Sequence, residues 1–107
     1  MNIDEMPAGR EMDSLIAEKV LDCWVPNSEL IINKRDRQTY EMPHYSTDIA
    51  AAWEVVEKIG GGHTVIRYRD GSYRCIHERT MDAASAETAP LAICRAALKL
   101  VMGAGQG

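Results

Sequence analysis

Three consecutive glycines, Gly60-Gly61-Gly62, constrain this chain more than any other feature. A helix entering them must stop, because glycine adopts the left-handed conformation without steric cost and so favours termination. The residues ahead of them, Tyr45 to Ile59, read as that helix. Ile49, Ala52, Trp53, Val56 and Ile59 recur at helical spacing and mark its core face. Ser46 or Thr47 can cap the free amides of the first turn, and Asp48 adds negative charge at the positive end of the dipole.

The residues after the glycines change period. His63 to Arg79 contains two β-favouring runs around Arg69-Asp70-Gly71-Ser72, and Asp-Gly suits a two-residue hairpin turn. Such a turn sets Tyr68 opposite Tyr73, Arg67 opposite Arg74 and Ile66 opposite Cys75. A first helix is expected from Ala8 to about Trp24, where Met12, Leu15, Ile16, Val20 and Cys23 form an apolar stripe ended by Pro26. Leu30-Ile31-Ile32 and Gln38 to Met42 read as a short hairpin around a polar turn. Met81 to Glu87 reads as a small-residue connector with a helical turn. A last helix opens at Ala89-Pro90, with Leu91, Cys94, Leu98 and Val101 inward and Arg95 and Lys99 on the opposite side.

These pieces predict one α+β domain over residues 1–107, with three main helices sandwiching a small, mostly antiparallel β-sheet. The ordered core is expected over 8–102, with flexible ends at 1–6 and 103–107. A hydrophobic fraction of 46% and a charged fraction of 26% are globular values and exclude wholesale disorder. The formal net charge of −4 argues against general nucleic-acid binding, which rests on neutralising phosphates. No apolar run approaches the ~20 residues of a membrane span, and the N-terminus lacks a signal peptide's basic and apolar regions. A cytoplasmic location is therefore expected, with Cys23, Cys75 and Cys94 as buried free thiols rather than a disulfide framework.

No stretch encodes recognisable chemistry. Cys75-Ile76-His77 puts two potential ligands on one strand face, but the closely paired cysteines of a structural zinc site are missing, so no metal and no cofactor is expected. Cys94 lies in an apolar stripe, the usual place for an inert thiol, and no catalytic residue is assigned. Gly60-Gly61-Gly62 follows a helix, whereas a phosphate loop must precede one. The candidate binding residues are Arg67, Arg69 and Arg74, which the expected register gathers at the hairpin tip; paired arginines suit bidentate phosphate or carboxylate recognition.

Three segments carry a resemblance. They are Ala8 to Asp13 with Leu15 to Val20, Tyr45 to Trp53, and Thr88 to Leu98. In these the chain resembles the phage ABA sandwich domain family, small proteins of phages and prophages. The resemblance implies helices sandwiching a β-sheet and implies no activity. The expected function is a non-catalytic phage or prophage accessory module that binds a phage or host protein, with a homodimer through an apolar helix surface as one form. The alternative is a small nucleic-acid-associated regulator using the arginine hairpin.

Overall fold

The computed structural model describes residues 2–102. The first helix is shorter than its stripe suggests. α1 runs Arg10–Leu15 and continues as wider π turns over Ile16–Val20, closed by the Leu21 amide on the Ile16 carbonyl at 3.1 Å. This widening turns Ile16, Ala17 and Val20 inward together. Asp22, at φ +54°, then swings the chain out of the helix, so Cys23 and Trp24 belong to a strand. The β-favouring Cys23-Trp24-Val25 and the helix-breaking Pro26 explain the change.

That strand is β1 (Cys23–Asn27), and it pairs antiparallel with β2 (Leu30–Asn33). β2 pairs in turn with β3 (Thr39–Glu41), as the short hairpin expectation holds. After it comes α2 (Ile49–Ile59), ended as expected by Gly60 at φ +68°, whose amide reaches the Val56 carbonyl. The cap is Asp48 rather than Ser46 or Thr47: its carboxylate accepts the Ala50 amide at 3.0 Å. The inward residues of α2 are Ala51, Ala52 and Val55, while Ile49 and Trp53 are about half exposed. Trp53 is thus no core residue, because small side chains let α2 approach the last helix closely.

A second sheet is ordered β4 (His63–Arg67), β5 (Tyr73–His77), β6 (Ala83–Ala86), all antiparallel. The fold class is α+β as expected, with two three-stranded sheets in place of one. The β4–β5 register is one residue away from that of a two-residue turn. Arg67 lies opposite Tyr73, and Arg74 opposite Ile66. The loop is Arg69-Asp70-Gly71, with Tyr68 and Ser72 hydrogen-bonded across it and Gly71 at φ +92°. Asp-Gly serves this three-residue loop equally well, since the left-handed position falls on the glycine. β6 replaces the helical turn expected in the connector.

α3 (Ala89–Met102) is the element against which the rest is packed. Every residue from Pro90 to Leu98 is buried, and the helix touches α2, β5, β6 and the π turns. Arg95 and Lys99 do not face solvent as expected. The Arg95 guanidinium donates to the Met6 carbonyl from Nε and Nη2 at 3.0 and 2.7 Å, and to Ser85 O from Nη1 at 2.8 Å. Lys99 Nζ reaches Ala83 O at 3.0 Å and Asp4 at 2.6 Å. The expected flexible lead-in is therefore held in place: Ile3–Glu5 forms a 3-10 turn and Met6 is buried. Met1 and the tail expected at 103–107 lie outside the described residues.

Candidate functional site

The three arginines singled out from the sequence are not brought together. Arg67 and Arg74 belong to non-paired positions of adjacent strands, one residue out of step, and so point to opposite faces. Arg74 donates to Ser85 Oγ at 3.2 Å across β6, while Arg67 is exposed and Arg69 sits in the loop. The bidentate pair on which anion recognition depended is absent.

Cys75 and His77 share the inward face of β5, as expected from their spacing, but both are engaged in packing. The Thr80 amide donates to His77 Nδ1 at 3.3 Å, which leaves the proton on Nε2 to meet Gly60 O at 3.2 Å. His63 packs edge-on against His77 with ring centroids 4.8 Å apart. Burial and the neighbouring His77 hold the His63 pKa below its usual value. Among the described residues no three metal-ligating side chains converge. Burial pushes the Cys75 thiol up to about 11 and raises those of Cys94 and Cys23 as well. A thiol so placed is protonated at neutral pH and a weak nucleophile.

Asp13, Ser46 and His44 also meet. Ser46 donates to Asp13 Oδ1 from its amide at 2.8 Å and its hydroxyl at 2.7 Å, and His44 Nδ1 stands 4.0 Å from Asp13 Oδ2. The order is wrong for an activated serine, which needs the imidazole between hydroxyl and carboxylate. Ser46 is fully buried, and its hydroxyl also accepts the Gly9 amide at 2.9 Å. The group ties the start of α1 to the loop before α2.

A concave feature lies elsewhere, between the inward face of the first sheet and α2. A cleft of about 730 Å³ is lined by Cys23, Ile31 and Tyr40 on the sheet side and by Glu54 and Lys58 of α2. Tyr45 lies at its floor, 2% exposed, and its hydroxyl makes no hydrogen bond among the described residues. Burial raises the pKa of that phenol, so it stays a proton donor. The rim mixes signs: Lys34 and Asp22 pair at 3.1 Å, and Arg35, Lys58, Glu41 and Glu54 add two charges of each kind. Lys34 Nζ also sits 5.6 Å from the Trp24 ring centroid.

Strand parity adds backbone groups. The Asn33 amide bonds Gln38 O and the Met42 amide bonds Glu29 O, so Gln38, Tyr40 and Met42 face β2. Thr39 and Glu41 direct their amides and carbonyls away from the sheet. No sequence pattern marks this site. Tyr45 reads as part of a helix start, and the sheet wall comes from the stretch whose pattern is weakest.

Relatives bear on the whole chain rather than on the cleft. Among curated proteins, none matches the chain. A phage protein from Bacillus cereus ATCC 14579, known from a 2.0 Å crystal structure, is similar to it with a TM-score of 0.75 and 32% sequence identity, over 92% of this chain and 93% of that one. The family model of the Phage ABA sandwich domain matches residues 14–98. Fold and sequence agree, and the chain belongs to the Phage ABA sandwich domain family.

Proposed function

We propose that the chain is a non-catalytic binding module that takes an extended segment of a phage or host protein into the cleft between β3 and α2. The observation that carries this reading is the Tyr45 hydroxyl, which opens on the cleft from an otherwise enclosed residue and has no hydrogen-bond acceptor among the described residues. A polypeptide offers what the site lacks. Its carbonyls accept from Tyr45, its backbone pairs with the outward groups of Thr39 and Glu41, and its side chains lie against Tyr40. The mixed rim favours a peptide carrying both signs over a polyphosphate, which Asp22, Glu41 and Glu54 would repel. The nucleic-acid reading loses its support with the separation of Arg67 from Arg74. The non-catalytic part of the proposal rests on chemistry: the thiols are buried and protonated, and Ser46 is enclosed.

Selection from a displayed random-peptide library, followed by chemical-shift mapping of the enriched peptide, tests the proposal. Shifts centred on Tyr40, Tyr45, Glu54 and Lys58 are expected, with affinity reduced about tenfold by Tyr45→Phe through loss of one hydrogen bond. Binding mapped to another face, or unaffected by Tyr45→Phe and Tyr40→Ala together, would refute it.

A further inference from the structure

Among the described residues each sheet has two edges; two of the four are obstructed and a third is short. On β6 the outward carbonyls of Ala83 and Ser85 are occupied by Lys99 and Arg95. β1 is interrupted by a bulge between Trp24 and Asn27 and contains Pro26. β3 is three residues long and borders the cleft. Proteins commonly blunt sheet edges by such devices, because unpaired strands recruit other strands.

β4 has none of them. The Glu78 amide bonds Gly62 O at 3.0 Å and the Tyr68 amide bonds Ser72 O at 2.8 Å, which fixes the parity of the ladder. Gly62, Thr64, Ile66 and Tyr68 therefore face β5, and His63, Val65 and Arg67 direct their amides and carbonyls outward. Those outward groups have no partner among the described residues. The strand, His63-Thr64-Val65-Ile66-Arg67, is regular, free of proline and lysine, and rich in β-branched residues.

We propose that this edge binds a second copy of the chain, β4 against β4 in antiparallel register about a two-fold axis at Val65, joining the two second sheets into one of six strands. The axis places Val65 opposite Val65 and His63 opposite Arg67, so every outward amide and carbonyl of the strand meets a complementary group. The same register solves two further features. Tyr68, an exposed aromatic, lies across from the second copy's Gly62, which offers no side chain, with the Glu78 carboxylate next to it on β5. An aromatic over an edge glycine is a stabilising cross-strand arrangement, and the phenol can donate to that carboxylate. Arg67 faces His63, whose lowered pKa keeps the ring neutral, so the pairing does not oppose two cations. The surface is independent of the cleft, so failure of either proposal leaves the other standing.

Amide exchange read by NMR, with sedimentation velocity on the same samples from micromolar to millimolar concentration, tests the pairing. The His63, Val65 and Arg67 amides are expected to slow on the order of 100-fold as the dimer forms and to lose that protection on dilution. The Thr64 and Ile66 amides, bonded within the chain, stay protected throughout and report that the domain remains folded. Val65→Pro removes an outward amide that the chain itself does not use and is expected to give a folded monomer. Tyr68→Ala, which leaves the ladder intact, is expected to weaken dimerisation about tenfold. Unprotected His63, Val65 and Arg67 amides at millimolar concentration would overturn the inference, as would a dimer that Tyr68→Ala does not weaken.

Discussion

Replacing Arg95 by methionine tests how α3 organises the molecule. Arg95 is 8% exposed and its guanidinium has no carboxylate partner among the described residues; three of its N–H groups serve two backbone carbonyls, Met6 O and Ser85 O. Buried ion pairs can often be replaced by apolar side chains at little cost, because both charges leave together. Here the acceptors are backbone and stay behind. Met6 O is buried and loses both its donors, at about 1–3 kcal/mol, and the carbonyl of exposed Ser85 loses one, at about 1 kcal/mol. Relief from burying a cation offsets part of this, and the net expectation is a loss of about 2–3 kcal/mol. For a domain of this size that lowers Tm by on the order of 10 °C. Urea unfolding of wild type and Arg95→Met gives the number, and exchange at the Met6 amide, bonded to Ile3 O, shows whether the 3-10 turn detaches first. Arg95→Lys should fall between, since one ammonium cannot reach both carbonyls as the fork does. Equal stability of Arg95→Met and wild type would refute the reasoning.

Asp13→Ala removes the acceptor of the Ser46 amide and hydroxyl and should cost about 2–4 kcal/mol in the same unfolding assay, with Ser46→Ala costing less because the amide keeps its carboxylate. Thiol titration with an aromatic disulfide at pH 8 should modify Cys23 at the cleft slowly and reach Cys75 and Cys94 only in denaturant, since burial raises all three pKa values. His63 supplies a pH dependence. Its folded pKa is depressed, so its contribution is complete above the unfolded value of about 6.5 and is lost as pH falls through the lower folded one. His63→Gln should flatten the stability profile across that acid range, and an unchanged slope in thermal melts would exclude the effect.

The helices were legible where caps and breakers agree with period. Gly60 ends α2 and Ala89-Pro90 opens α3, as the sequence requires. The Asp70-Gly71 loop located the β4–β5 hairpin but not its register, because the dipeptide fits loops of two or three residues, and the one-residue slip sent Arg67 and Arg74 to opposite faces. β6 was illegible: Ala83-Ala84-Ser85-Ala86 has poor strand propensity, and it is a strand because only small side chains fit between β5 and α3, where Ala84 and Ala86 are buried. Arg95 misled for a related reason. Its charge reads as solvated, whereas its hydrogen bonds close an edge that no sequence pattern announces.

Size, rather than polarity, decides which apolar residues go inside. Ala51, Ala52, Ala84, Ala86, Ala92, Ala96 and Ala97 are all buried, and they let α2, α3 and β6 approach closely. With no phenylalanine in the chain, the largest fully buried side chains are Met12, Ile16, Leu91, Ile93 and Leu98. Tyr45 is enclosed and Tyr73 packs partly buried against the core, whereas Trp24, Tyr40, Trp53 and Tyr68 are each between 43% and 48% exposed. Half-exposed aromatics are what binding surfaces use, because they bury much area at small entropic cost. Tyr40 stands on the cleft wall and Tyr68 beside the open edge of β4. The alanine-rich centre that leaves these four rings half exposed therefore also supplies both proposed binding surfaces with aromatic side chains.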